Sequence, residues 1–525
     1  MNGVGFLMVV VGAVAVTAVA NRRGWPGPLV VVAVAAAVSL LPGLPRMELP
    51  PQLILAVVLP PLLYSAALEL SFVSFRRDLL PIASLGVGLV VFSAVVVGCV
   101  AFTLAPALTL GGAFVLGAVL GPSDAVAAVA LGRRAGLPSR VITILTGESL
   151  VNDAVALVAF QLAVSAYAGY RLFVEQPILL AAYSASVGVG IGLAMAVVVH
   201  WIRPRLHDPA LETVFGAVVP FVAYLAADDL HASGVLAVVA AGFWIGHHSA
   251  DAAFATRLQS RQVWRTVDLI LEAFVFAYMG LQVRLILHDA TGEGLGPAGL
   301  VIIIAAVLLA VVLARPAWIV TMWMITRRRL QWRAVAVLSW SGMRGVVTLA
   351  AAAAVPAVTV TGAPTPNRNL IQAVALSVAV LTILLQGATL PMLVRVLRLS
   401  DAAERRRADA DVVHALRVAR RAAHEVTARA AASGDDIEAT AVALIERRMA
   451  HVLTATPHCL AGLYGTVGGA EQPAHELVQQ ILANQRRALI RERDRGRLDD
   501  EVLRAVLQQL DYEEAAASTD LRTRL

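Results

Sequence analysis

The sequence predicts an all-α polytopic membrane protein. About thirteen transmembrane helices are expected, arranged as inverted repeats with two broken crossing helices and followed by a cytoplasmic helical tail. Three observations predict this class. Of 525 residues, 58% are hydrophobic and only 15% charged, with a mean hydropathy of +0.75, whereas a soluble domain carries about 25% charged residues. The charge is unevenly placed: residues 1–400 hold 40 charged residues, and residues 401–525 hold 38. Finally, the arginines alternate from loop to loop along the first part. Two domains follow, a membrane part over 1–398 and a helical tail over 399–525.

Composition also excludes classes. The two cysteines, Cys99 and Cys459, imply no disulfide framework. All 42 basic residues are arginine, so Schiff-base and P-loop lysine chemistry are excluded. The pI near 9.8 does not point to nucleic acid, because the basic excess sits in short loops between apolar runs, as membrane orientation requires.

A helix crossing the hydrocarbon needs about 20 mainly apolar residues. Thirteen segments qualify, the second and ninth being short: roughly 3–20, 28–41, 52–71, 79–104, 108–131, 141–166, 177–202, 210–227, 230–246, 264–283, 297–325, 333–361 and 370–394. The first lacks a basic n-region, so it is expected to be retained rather than cleaved. With the N-terminus outside, the inner loops hold Arg22, Arg23, Arg76, Arg77, Arg133, Arg134, Arg140, Arg203, Arg205, Arg257, Arg261, Arg327, Arg328 and Arg329. The outer loops hold Arg46, Arg171, Arg284 and Arg368. The positive-inside rule then predicts an odd number of spans and a cytoplasmic tail.

Charges at bilayer depth are costly, so they are paired or line a pathway. Glu69, Glu212, Asp268, Glu272 and Arg315 fall near span ends, where the side chain can reach the interface. The sixth span is different, with Glu148, Ser149, Asn152 and Asp153 inside an apolar run. Spacing by four puts Ser149 and Asp153 on one helical face, offering hard oxygen ligands for a small cation. Glu148 lies beside Asn152 on a neighbouring face and needs a partner. The fifth span is interrupted at Gly121-Pro122-Ser123-Asp124; the proline frees a carbonyl and the glycine loosens the turn. A broken span with polar groups at the break is the kind of site transporters use for coupling ions. The twelfth span carries Gly342-Met-Arg344-Gly345. Arg344 needs an anion, and an ion pair between Glu148 and Arg344 is expected. The two interrupted spans occupy corresponding places in two halves, which points to inverted repeats.

The strings Gly121-Pro-Ser-Asp-Ala-Val-Ala, Gly147-Glu-Ser-Leu-Val-Asn-Asp-Ala-Val-Ala-Leu-Val and Gly342-Met-Arg-Gly-Val-Val-Thr-Leu-Ala, with Phe276-Ala-Tyr-Met-Gly-Leu-Gln-Val, resemble the sodium/proton antiporters of the NhaP/NHE branch over about residues 1–398. The resemblance implies a thirteen-span inverted-repeat fold, a homodimer and elevator-like movement of a core against a dimerisation unit. It implies that Asp153 binds Na⁺ or H⁺, with Ser149 and backbone or hydroxyl oxygens at Ser123 completing the shell and Asp124 beside it. Asn152 stands where electrogenic relatives have a second Asp, which implies electroneutral exchange. The resemblance also supports the Glu148–Arg344 pair. Ser123 stands where Thr is more usual in the family, keeping the hydroxyl. No cofactor is implied; Na⁺ (or Li⁺ or K⁺) and H⁺ are the substrates, and the lipid bilayer is the surrounding partner. A K⁺/H⁺ antiporter is the nearest alternative. An intramembrane hydrolase is the alternative from another class, but no span-centred His stands opposite a Ser.

Three further features have plain structural readings. Gly188, Gly190 and Gly192 lie inside a span and suit close helix packing rather than nucleotide binding. His247 and His248 end a span on the inner side. Trp25, Trp201, Trp264 and Trp332 fall where an interfacial belt would be. The tail reads as helices with an apolar stripe, broken near Ser433-Gly434, Thr456-Pro457-His458 and Gly465 to Pro473.

Overall fold

A computed structural model describes residues 3–41, 50, 53–105, 108–124, 128–132, 136–169, 176–206, 208–290, 297–326, 330–397, 402–432 and 471–522. The loop arginines Arg46, Arg133, Arg134, Arg171 and Arg327 to Arg329 lie outside the described residues. So do the boundary at 398–401 and the tail breaks between 433 and 470.

The described chain is helical, with one isolated bridge between Val358 and Pro364. The elements are α1 (Gly3–Arg22), α2 (Gly27–Ser39), α3 (Ile54–Glu69), α4 (Phe72–Arg77), α5 (Leu79–Leu104), α6 (Leu110–Val119), α7 (Ser139–Ala168), α8 (Pro177–Ile202), α9 (Pro209–Asp229) and α10 (Gly234–His247). They continue with α11 (Phe254–Ala290), α12 (Pro297–Ile325), α13 (Trp332–Trp340), α14 (Val346–Ala353), α15 (Arg368–Leu397), α16 (Ala402–Ala432), α17 (Glu471–Asp494) and α18 (Asp500–Arg522). Eight helices are long and apolar enough to cross a membrane, and α2, α3, α6 and α10 are shorter apolar helices. Helices suit this setting because each satisfies its own backbone.

The chain divides into two compact units. The first comprises residues 1–205, 214–247 and 263–400; the second comprises 206–213, 248–262 and 401–525.

In the first unit, local chemistry sets the element ends. Pro138 precedes α7, and Gly169, with φ of 78°, stops it in the left-handed conformation that glycine adopts without cost. Small residues bring the helices together. A Cβ on Gly188 would lie 2.6 Å from the carbonyl oxygen of Ser233, and one on Gly192 would collide with the carbonyl of Ala237. Gly190 has open space around it. The glycine run is therefore a packing seam between α8 and α10. Close approach of this kind drives association in lipid, where hydrophobic attraction between helices is missing. Gly86 on α5 serves α7 likewise: a Cβ there would lie 2.7 Å from Val151, beside Asn152. Of the four tryptophans read as a belt, Trp25, Trp201 and Trp332 are exposed. Trp264 is instead buried, its ring 5.1 Å from Tyr64.

In the second unit, α16, α17 and α18 share an apolar core that includes Ala415, Ala419, Leu482, Leu489, Leu503, Leu507 and Leu510. α16 ends at Ala432, just before the expected Ser433 break, and α17 starts at Glu471, before Pro473. A further break, at Gly496 with φ of 70°, separates α17 from α18.

Candidate functional site

Two broken spans meet in the first unit. One break is Gly121 to Asp124, after α6; the other is Ser341 to Gly345, between α13 and α14. Each break supplies what the other lacks. The backbone N–H of Asp124 donates to the carbonyl of Met343 at 2.7 Å. The Asp124 carboxylate accepts from the N–H of Val346 at 3.4 Å, at the N-terminus of α14, where a negative charge is favoured. Reciprocally, Arg344 Nη1 donates to the carbonyl of Gly121 at 2.8 Å, just past the C-terminus of α6, where a cation is favoured. Thr382 of α15 takes the Arg344 N–H at 3.1 Å. Gly345 is required here because a Cβ would strike the Asp124 carboxylate.

α7 passes beside this crossing with Glu148, Ser149, Asn152 and Asp153 all buried. The expected partner of Glu148 is corrected by the structure: it pairs with Arg315 of α12, not with Arg344. Arg315 Nη2 donates to Glu148 Oε2 at 2.7 Å, and Nη1 donates to Oε1. Nη1 also donates to Ser123 Oγ at 2.9 Å, and Nε to the carbonyl of Leu338 at 2.7 Å. Arg315 is 2% exposed and Glu148 1%, so this is a buried, bidentate, hydrogen-bonded pair. Arg315 thus sits within the protein rather than reaching an interface. Gly342 makes its space, since a Cβ there would lie 2.6 Å from Arg315 Cδ. Arg344 is held by the Gly121 carbonyl instead. Its Nε is buried without a hydrogen-bond partner among the described residues.

Ser123 was expected in a cation shell. In the structure its Oγ donates to Glu148 Oε1 at 2.6 Å and accepts from Arg315 and from Asn152 Nδ2 at 3.1 Å. Its carbonyl accepts from Asn152 Nδ2 at 2.8 Å. A hydroxyl has one proton and two lone pairs, so this oxygen is fully used. Asn152 Oδ1, by contrast, is buried without a hydrogen-bond partner among the described residues. Asp153 is 5% exposed. No hydrogen bond from the described residues reaches its carboxylate, whose charged neighbours are Asp124 and Glu148.

Of the remaining acids, Glu69 is exposed at the end of α3. Glu212 is buried and accepts from Thr256 at 2.6 Å. Asp268 accepts from Ser65 at 2.7 Å. Glu272 feels Asp268, Asp124 and Glu69 as its charged neighbours. Sequence reasoning missed Arg315 as the partner of Glu148. The available signal was its place as the lone charged residue of a long apolar helix that holds no acid to balance it.

Comparison with known proteins identifies the family and the fold. The chain is 30% identical to a Na⁺/H⁺ exchanger of Mycobacterium tuberculosis over 98% of this chain and 96% of that one. It is 30% identical to the Na⁺/H⁺ antiporter ApNhaP of Aphanothece halophytica, over 69% of this chain and 68% of that one. It is also 30% identical to a sodium, potassium, lithium and rubidium/H⁺ antiporter of Bacillus pumilus, over 70% of this chain and 57% of that one. The fold is similar to that of the sodium proton antiporter MjNhaP1 from Methanocaldococcus jannaschii. The TM-score is 0.60 at 18% identity, covering 75% of this chain and 98% of that one. The model of the sodium/hydrogen exchanger transmembrane family matches residues 5–396, and the chain belongs to that family.

Proposed function

We propose that the chain exchanges Na⁺ for H⁺ across the cell membrane, one for one, with Asp153 holding either ion in turn. As a member of its family it is a multi-pass membrane antiporter and not an enzyme. The observation that carries the finer reading is the contrast between two buried carboxylates about one and a half turns apart. Glu148 is neutralised by Arg315; Asp153 receives no hydrogen bond from the described residues. A carboxylate held out of water without a partner takes up a proton or a cation. A single site cannot hold both, so the competition couples the two fluxes. Alternation of access then exchanges one ion for the other.

The groups that complete the ion's shell are Ser149, one turn away on the same face, and the Asn152 Oδ1 oxygen. Ser123, whose hydroxyl is spent on Glu148, Arg315 and Asn152, is assigned to positioning Asn152. Asp124 holds the crossing at the N-terminus of α14. The Glu148–Arg315 pair is structural. A homodimer, elevator-like movement, an outside N-terminus and a cytoplasmic tail belong to the same reading. The second reading, K⁺ or Li⁺ in place of Na⁺, is favoured by the breadth named for the Bacillus pumilus relative.

In everted vesicles, adding Na⁺ should dissipate an imposed pH gradient, and Li⁺ or K⁺ should do so according to selectivity. Asp153→Asn should insert normally and show no cation-driven proton movement. Undiminished flux in that variant overturns the assignment of Asp153.

A further inference from the structure

α5 is not a regular α-helix along its whole length. Ser84–Leu89 forms a π-turn, set between α-helical Leu79–Ala83 and Val90–Leu104. Such turns carry one extra residue, are rare, and recur at functional sites. The extra residue rotates the two flanking parts of the helix by about 100° relative to one another. Two glycines of the turn then face different helices. Gly86 faces α7: a Cβ there would lie 2.7 Å from Val151 and 3.5 Å from the backbone nitrogen of Asn152. Gly88 faces α12: a Cβ there would collide with the ring of Trp318. That ring fills the space Gly88 leaves open, and Phe92, one turn further along α5, packs against it with ring centroids 5.3 Å apart. The indole N–H of Trp318 donates to the carbonyl of Ser84 at 3.1 Å and to its hydroxyl at 3.2 Å. Ser84 is the first residue of the π-turn. Trp318 thus holds the turn by its ring at Gly88 and by its N–H at Ser84.

The helix that supplies this hold also supplies Arg315, three residues earlier and so on the same side of α12. Arg315 fixes α7 at Glu148. Trp318 fixes the part of α5 that rests on α7 at Val151 and Asn152. α7 is therefore held from α12 at two successive turns, once directly and once through α5. Ser149 follows the first of these points in the chain, and Asp153 follows the second. The hold on α5 is tight because both contacts replace a side chain by backbone: neither Gly86 nor Gly88 has room for a methyl group. Its polar part rests on one atom, the indole nitrogen, which can be removed while an aromatic ring is kept.

We propose that Trp318 is a positioning residue for the exchanged ion: it holds the π-turn of α5 against α7 and thereby sets where Asn152 and Asp153 stand. The proposal rests on the exchange reading. Trp318→Phe keeps a ring but loses the indole donor, and Gly88→Ala pushes the ring from its place. In proteoliposomes of the full-length chain at fixed pH, each should raise the half-saturating Na⁺ concentration several-fold. The maximal rate per inserted protein should stay close to that of the unsubstituted chain. The double variant should be no worse than the more affected single one, because both substitutions release the same turn. Val87→Ala, at an exposed position of the turn, should leave half-saturation unchanged. In detergent, Na⁺ should raise the melting temperature of the unsubstituted chain, and Trp318→Phe and Gly88→Ala should need more Na⁺ for the same rise. Packing alone would lower the melting temperature and the inserted amount without moving half-saturation. That result, or additive effects in the double variant, overturns the positioning role while normal exchange in the unsubstituted chain leaves the exchange reading intact. Absence of Na⁺-driven proton movement in the unsubstituted chain overturns the exchange reading, and the positioning role with it.

Discussion

Glu148 and Asp153 are two buried acids of one helix in opposite surroundings. Arg315 spends its fork on Glu148 and its Nε on the carbonyl of Leu338, which holds that acid in one place. Removing one partner of a buried pair strands the other charge and costs about 3–5 kcal/mol. Glu148→Gln and Arg315→Gln should therefore each lower the melting temperature in detergent strongly. The double variant should lose much less than the sum, because the second substitution removes a charge already stranded. Glu148→Gln with Arg344→Gln should be closer to additive, since Arg344 bonds the Gly121 carbonyl instead. A large coupling in the 148/344 cycle with none in the 148/315 cycle would reverse this assignment.

At the scale of elements, glycines decide which helices can meet. Gly342→Ala places a methyl 2.6 Å from Arg315 Cδ. Overpacking of this kind costs about 1–3 kcal/mol, and here the strain falls on the arginine that holds Glu148. Gly192→Ala should loosen the seam against Ala237, while Gly190→Ala, facing open space, should leave thermal stability unchanged. Equal losses at 190 and 192 would remove the seam as the explanation. These contacts also show what was legible beforehand. The two breaks were readable because Pro122, Gly121, Gly342 and Gly345 break helices through their own backbones. The Ser149 and Asp153 face was readable from spacing alone. The partner of Glu148 was not readable. Arg315 and Arg344 are both lone cations in apolar runs, and only the tertiary crossing decides which guanidinium reaches α7. The occupation of Ser123 was hidden for the same reason: its competing partners come from α7 and α12, far away in sequence.

For the whole molecule, the decisive quantity is the charge carried through the membrane in each half-cycle. Arg315 cancels Glu148, and Arg344 and Asp124 each sit at the helix end that suits their sign. Asn152 is neutral. On the proposed reading, the charge that meets a travelling ion is that of Asp153. On the proposed one-for-one reading, the site with Na⁺ or with H⁺ bound would be neutral in either half-cycle, and no net charge would cross. Moving an elementary charge through 100 mV is worth about 2.3 kcal/mol, so a cycle that did carry charge would respond steeply to voltage. On a solid-supported membrane, a Na⁺ jump should therefore alter internal pH without a sustained transport current. Asp153→Asn should abolish the pH change. A current that scales with the exchange rate would mean that a second titratable group moves with the ion. Glu272, which feels Asp124, would then be the first group to neutralise.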